Sequence, residues 1–144
     1  VSMLHIITTL HDSLAYLVKD DPVRPEIPLQ ARVSENSEIF VWLESGEPGA
    51  VVCVKYTQAI PSAVSELDLI KEATVATFYT IWSYKKGCGQ TLIRNAQQHI
   101  AENKPYIKRF VTLSPKTEMA RAFHHKNGAF TLRENPDTVN YEYC

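Results

Sequence analysis

The sequence predicts a single α/β domain of the mixed (α+β) kind, in which antiparallel strands flank one parallel crossover. Three observations carry this. Residues 73–83, ATVATFYTIWS, are rich in β-branched and aromatic side chains and run through a glycine-bearing turn into a helical pattern. Residues 107–113, IKRFVTL, follow that helix as a strand, so the two strands are parallel neighbours joined by a right-handed crossover. On either side, strand-like pairs are separated by turn residues, which makes them hairpins. A fully parallel, doubly wound sheet is excluded.

The 144 residues suffice for one domain with a sizeable core, spanning residues 3–144. Residues 4–9 are short, apolar and β-branched, a first strand. Asp12 caps a helix over 13–19 with Leu14, Leu17 and Val18 on one face. Pro22, Pro25 and Pro28 exclude a regular helix from 20–28. That stretch reads as a surface connection, or in an enzyme as a cover for the site. Residues 38–44 and 50–57 are strands, and Ser45-Gly46-Glu47-Pro48-Gly49 turns between them. Residues 58–71 carry Pro61 and a weak helical pattern, Val64, Leu67 and Ile70, giving a connection with one turn of helix.

The helix after the organising strand has Leu92, Ile93, Ala96 and Ile100 on one face and stops near Asn103, before Pro105. After the second parallel strand, Ser114 is positioned to cap another helix with Pro115 in its first turn. That helix runs to about Lys126, ends at Asn127-Gly128, and turns Met119, Ala120, Ala122 and Phe123 inward. Residues 129–133 and 139–143 are closing strands around the turn Glu134-Asn135-Pro136-Asp137.

A formal net charge of −1 argues against broad nucleic-acid or membrane-surface binding. Cys53, Cys88 and Cys144 form neither a disulfide framework nor a zinc pattern, so the expectation is a reduced, cytoplasmic protein without a metal. No apolar run reaches transmembrane length, no signal peptide is visible, and no repeat is found.

The turn itself reads Tyr84-Lys85-Lys86-Gly87-Cys88-Gly89-Gln90. Two glycines two apart let the backbone turn tightly and present successive N–H groups, and a helix N-terminus follows. Such a turn suits phosphate oxygens, and the lysines add charge. The same strand–turn–helix also occurs in α/β proteins with no ligand. It is not a P-loop, since no Gly-Lys-Ser/Thr follows, nor a dinucleotide fingerprint, since the third glycine is missing.

Taken together, the turn and the later helix resemble the GNAT superfamily of acyl-CoA N-acyltransferases. The family's phosphate turn is Q/R-x-x-G-x-G/A, matched from Tyr84 to Gly89 except that Tyr84 replaces Gln or Arg. Its later motif, A-x-x-F-Y-x-K-x-G-F, is similar to Ala120-Arg121-Ala122-Phe123-His124-His125-Lys126-Asn127-Gly128-Ala129-Phe130, with one residue inserted before Phe130. His124 takes the place of the tyrosine that often protonates the leaving thiolate, and Thr117 that of an asparagine. A narrower resemblance is to the GNAT-like catalytic domain of malonyl-CoA decarboxylases, with phrases similar to FYSIS, TLSP, FHLRNGA and VNYxY. Here they stand in the same order as Phe78-Tyr79-Thr80-Ile81, Thr112-Leu113-Ser114-Pro115, Phe123 to Ala129, and Val139-Asn140-Tyr141-Glu142-Tyr143. A strand hydroxyl and the histidine serve decarboxylation in that family; their counterparts are Thr80 (or Ser83) and His124. This sequence lacks those enzymes' helical N-terminal domain, and Lys116-Thr117-Glu118 replaces their sequence after the proline.

The resemblance implies a single GNAT-type domain whose sheet splays after residues 73–83. Acetyl-CoA or another acyl-CoA would lie along Phe78, Tyr79, Thr80 and Ile81. Its phosphates would meet Tyr84, Lys85, Lys86, Gly87, Cys88, Gly89 and Gln90, with Thr117 and Phe123 beside it. It implies N-acetyl transfer to an unknown amine-bearing acceptor, with His124 and Thr80 as catalytic residues; no nucleic acid, membrane or metal takes part, and a homodimer stays open. The alternatives are a malonyl-CoA decarboxylase-like lyase and a non-catalytic acyl-CoA-binding module.

Each residue also has an ordinary reading. A histidine near a helix end interacts favourably with the dipole, and in a neutral environment titrates near about 6.5. His125 leaves the helix about 100° from His124, so at most one of them faces a site. Threonine is common in strands, and Trp82 and Tyr84 suit packing. Cys88 sits where a helix N-terminus lowers a thiol pKa, but it has no paired base. Glu72 and Glu118 are either bases for an amine or surface residues.

Overall fold

Antiparallel strands open the fold. The computed structural model describes residues 1–68 and 72–144, so Ile70 lies outside the described residues. Strands β1 (Met3–Ile7), β2 (Ser37–Glu44), β3 (Glu47–Thr57) and β4 (Val75–Ser83) pair antiparallel in sequence order. Helix α2 (Cys88–Asn103) then crosses over to β5 (Arg109–Thr112), which pairs parallel to β4. The short β6 (Ser114–Pro115), helix α3 (Glu118–Lys126), β7 (Phe130–Glu134) and β8 (Thr138–Tyr143) complete an eight-stranded mixed sheet. β8 pairs with β5, β6 and β7, all antiparallel. The expected hairpins, crossover and terminal pair are all present.

The alternating strand pattern gives the sheet two apolar faces. Phe40, Val52, Val54 and Phe78 pack under Leu92, Ile93, Ala96 and Ile100 of α2. On the other face Ile39, Val41, Val51, Cys53 and Tyr79 pack with Ile7, Leu17 and Leu113.

Several local expectations are corrected. The segment after Asp12 forms a 3-10 helix, Ala15–Asp20, rather than an α-helix over 13–19. Leu14 and Leu17 are three apart, a spacing that suits three residues per turn as well as 3.6, and the Asp12 carboxylate is shared between Leu14 N and His5. The 20–28 stretch is not a plain surface connection, because Asp21 is buried against β4. It leads into an unanticipated four-residue helix, α1 (Leu29–Arg32). Ser114 does not cap α3: its hydroxyl donates to Thr112 Oγ1, and Ser114 and Pro115 pair with β8. Thr117 is the cap, its Oγ1 accepting from Ala120 N at 3.2 Å. Met119 is 83% exposed and Ala122 is exposed, so the inward side of α3 is Ala120, Phe123 and His124.

Candidate active site

The sheet opens between β4 and β5. Parallel pairing ends at Phe78 opposite Thr112, followed by one bond from Leu113 N to Phe78 O at 3.0 Å. Beyond it the chain turns to β8. Asn140 Nδ2 donates to Thr112 O, Tyr141 N donates to Thr112 Oγ1, and Ser114 and Pro115 pair with Val139 and Thr138. β4 continues to Ser83 with β3 as its only partner strand among the described residues. Its register with β3 slips between Cys53 and Val54, where Phe78 and Thr80 take consecutive partners and Tyr79 is the extra residue. A cavity of about 240 Å3 occupies the opening, walled by β4 from Phe78 to Ser83, by Leu113, Ser114 and Pro115, and by Thr117, Ala120, Phe123 and His124 of the α3 region.

The glycine turn closes one end of this opening. Gly49 O accepts from Tyr84 N and Lys85 N, and Lys85 O accepts from Cys88 N. Among the described residues, no acceptor holds the amides of Lys86, Gly87, Gly89 or Gln90. Gly87 adopts φ +84°, which side-chain-bearing residues rarely adopt, and a Cβ on Gly89 would stand 3.1 Å from Phe123 Cε1. The first glycine therefore makes the turn, and the second lets α2 approach α3. Unpaired amides at the head of a 16-residue helix fit phosphate oxygens.

Several of the turn's side chains are engaged within the chain. Lys85 Nζ is held at 2.8 Å by Glu47, whereas Lys86 makes no ion pair among the described residues. Tyr84 donates to Asp20 Oδ2 at 2.6 Å and accepts from Trp82 Nε1, tying the turn to the 20–28 loop. Burial, helped by Glu44, pushes the Cys88 thiol pKa up, the reverse of the lowering expected at a helix N-terminus.

His124 faces inward and His125 outward. His124 is 3% exposed and its ring stacks on Tyr141, while His125 is exposed and bonds Thr131. His124 Nδ1 lies 2.7 Å from the Tyr143 hydroxyl. Nε2 makes no hydrogen bond among the described residues, and His124 lines the cavity. Burial, with the neighbouring His125 charge, lowers the His124 pKa to about 4, so the expectation of titration near 6.5 is corrected. At neutral pH the ring is uncharged.

Thr80 and His124 both line the cavity but share no hydrogen bond among the described residues. Its hydroxyl donates to Asp21 Oδ1 at 2.8 Å. Asp21 is 4% exposed; Oδ1 also accepts from Val23 N and Arg24 N, and Oδ2 pairs with Arg32 Nη1 at 2.7 Å. Arg32, 1% exposed, also donates to Ile27 O, Arg24 O and Cys53 Sγ. Thr80 thus joins β4 to the 20–28 loop, and Val23 of that loop reaches the cavity. Asp21, Arg32 and Tyr143 were not singled out from the sequence. Tyr141-x-Tyr143 did carry a signal, since alternate strand residues share a face.

Among the described residues no helix is long and apolar enough to cross a membrane, and no His, Cys, Asp and Glu cluster could hold a metal ion.

A mixed sheet parted between two parallel strands, with a glycine turn and a helix at one end of the gap, defines the GNAT fold, and this chain has that fold over its length. No protein-family model matches the chain, and no curated protein matches it in sequence. Solved structures do. Malonyl-CoA decarboxylase from Agrobacterium vitis is 26% identical with a TM-score of 0.68, over 85% of this chain and 35% of that one. The Rhodopseudomonas palustris malonyl-CoA decarboxylase is 24% identical with a TM-score of 0.65, over 86% and 33%. PaiA N-acetyltransferase from Thermoplasma acidophilum, solved in complex with coenzyme A, is 12% identical with a TM-score of 0.68, over 98% of each chain. The chain spans about a third of the length of the decarboxylases and nearly all of PaiA.

Proposed function

We propose that the chain is an acyl-CoA-dependent acyltransferase that moves acetyl from acetyl-CoA to an amine. The observation that carries this is the β4–β5 opening, with unpaired amides at one end and His124 on its wall. The amides of Lys86, Gly87, Gly89 and Gln90 would take the phosphate oxygens. The unpartnered edge of 79–83 would hold the pantetheine amides as a neighbouring strand would, and would polarise the thioester carbonyl. As the amine nitrogen bonds to the acyl carbon the C–S bond breaks, and the proton the amine loses balances the one the thiolate gains. His124 contributes a neutral Nε2–H donor to the sulfur, its proton fixed on that nitrogen when Tyr143 donates to Nδ1.

A second reading is favoured by the 26% identity to a malonyl-CoA decarboxylase. Loss of CO2 leaves an enolate oxygen that needs a neutral donor rather than a strong acid, which an imidazole with its pKa near about 4 supplies. The test is a screen of CoA thioesters with and without an amine panel. Amine-dependent release of CoA from acetyl-CoA supports transfer. Amine-independent CO2 release from malonyl-CoA supports the second reading. Binding with neither activity leaves an acyl-CoA-binding module and contradicts both.

A further inference from the structure

A second cavity, of about 350 Å3, lies where the 20–28 loop meets the β7–β8 turn. Arg24 forms one wall, Ser62 and Val64 another, and Pro136, Asp137 and Thr138 of the β7–β8 turn a third. Arg24 lines this second cavity and is tied to the first through Leu113. Its Nη2 donates at 3.1 Å to Leu113 O, and Leu113 both lines the first cavity and makes the last bond between β4 and β5. The guanidinium is therefore at the junction where the parted strands meet.

Most of this guanidinium's bonding capacity is unused. Of its five N–H donors, one is spent on Leu113 O among the described residues; Nε is buried without a partner, and Nη1 makes no hydrogen bond. Burial works against its charge and lowers its pKa. Glu26 and Asp21 oppose that lowering; neither forms an ion pair with Arg24 among the described residues, and both Asp21 oxygens are taken by Arg32, Thr80 and backbone amides. The hydroxyls nearby are engaged too: Thr138 Oγ1 donates to Ser62 O, and Ser62 Oγ donates to Glu66. Asp137 is exposed and makes no ion pair among the described residues. A half-buried cation with unmet donors is a site for an oxyanion, and the planar fork of arginine matches a carboxylate.

We propose that Arg24 binds a carboxylate on the ligand that meets the acyl thioester, so that the second cavity takes a small carboxylate-bearing group. The inference rests on the acyl-CoA reading above, since it specifies what reaches that thioester. The carboxylate has two sources. It belongs to an amine acceptor of amino-acid type, whose ammonium group Asp137 complements, or to a dicarboxylic acyl chain such as malonyl.

Ligand-observed NMR and calorimetry on the full chain test this without requiring turnover. The probes are matched pairs differing by a carboxylate: L-phenylalanine against phenethylamine, L-leucine against isoamylamine, and malonyl-CoA against acetyl-CoA. The inference expects the carboxylate to tighten binding about tenfold in at least one pair, in line with a charge-assisted bond. An amino-acid preference assigns it to the acceptor, and a malonyl preference to the acyl chain. Arg24→Gln should abolish the preference, and Arg24→Lys, which keeps charge without the fork, should retain part of it. No preference in any pair overturns the inference, as does a preference that survives in Arg24→Gln with a native circular dichroism spectrum. If the preference holds but CoA does not bind, the acyl-CoA reading fails while the anion site stands. If acetyl transfer proceeds and Arg24→Gln matches wild type both with every acceptor and in its affinity for malonyl-CoA, the anion site falls while the acyltransferase stands.

Discussion

Tyr143 Oη lies 2.7 Å from Nδ1 of His124, and the hydroxyl has no other partner among the described residues. Burial raises the Tyr143 pKa, so the hydroxyl keeps its proton and can donate it to Nδ1. Donation there leaves the ring proton on Nε2, the nitrogen without a partner among the described residues. Tyr143→Phe removes this control of the tautomer. Turnover should fall roughly 2- to 10-fold, matching the ~0.5–1.5 kcal/mol net value of one hydrogen bond, with the Kd for CoA unchanged. Steady-state kinetics beside calorimetry separates the two. Equal loss of turnover and CoA affinity would assign Tyr143 to packing alone.

The depressed His124 pKa also predicts how stability depends on pH. The unfolded chain protonates this imidazole below about 6.5, whereas the folded chain resists until about 4. The unfolded state therefore binds more protons in that interval. The contribution is complete above pH 6.5 and is lost as pH falls toward 4, in total roughly 3 kcal/mol. Urea midpoints for wild type should drop more steeply than those of His124→Gln across this window. Parallel profiles would show that His124 is not desolvated.

Asp21→Ala should destabilise the chain by about 3–5 kcal/mol, because it leaves the buried Arg32 without its acid. Thr80→Val removes one hydroxyl donor to the same carboxylate and should cost only about 1 kcal/mol. Denaturant titration measures both. Equal costs would mean that Asp21 matters chiefly through Thr80.

The crossover and the turn between its strand and helix were legible in the sequence because their signals are local, whereas the parting of the sheet was expected only from the GNAT resemblance. β-Branched runs mark β4, the 3.6-residue spacing of Leu92, Ile93, Ala96 and Ile100 marks α2, and Gly87 and Gly89 mark the turn between them. What was not legible depends on distant partners. Nothing beside Asp21 in sequence shows that it will meet Thr80 and Arg32, and nothing beside Lys85 shows that Glu47 will hold it. Ser114-Pro115 fits a helix start by local rules; its pairing with Val139 and Thr138 overrides them. The low His124 pKa likewise arises from burial beside strands that come later in the chain.

His124 and His125 form an internal comparison. General acid or donor catalysis at such a position contributes roughly 10²–10⁴-fold. His124→Ala should lower turnover by that range while CoA affinity holds, since the phosphate turn is elsewhere. His125→Ala should change turnover less than about 2-fold, because its ring contacts Thr131 on the outside. Full turnover in a folded His124→Ala protein would remove it from the mechanism.

The central claim is that acyl-CoA lies in the β4–β5 opening with its phosphates on the turn. Titration of the 15N-labelled chain with CoA, followed residue by residue in amide NMR spectra, tests it most directly. The account predicts saturable shifts of the Lys86, Gly87, Gly89 and Gln90 amides, moving together with those of 79–83 along the open edge. Gly87→Glu and Gly89→Glu, which place a carboxylate against the phosphates, should each weaken the titration. No shift at millimolar CoA, or shifts confined to other parts of the chain, would contradict the claim.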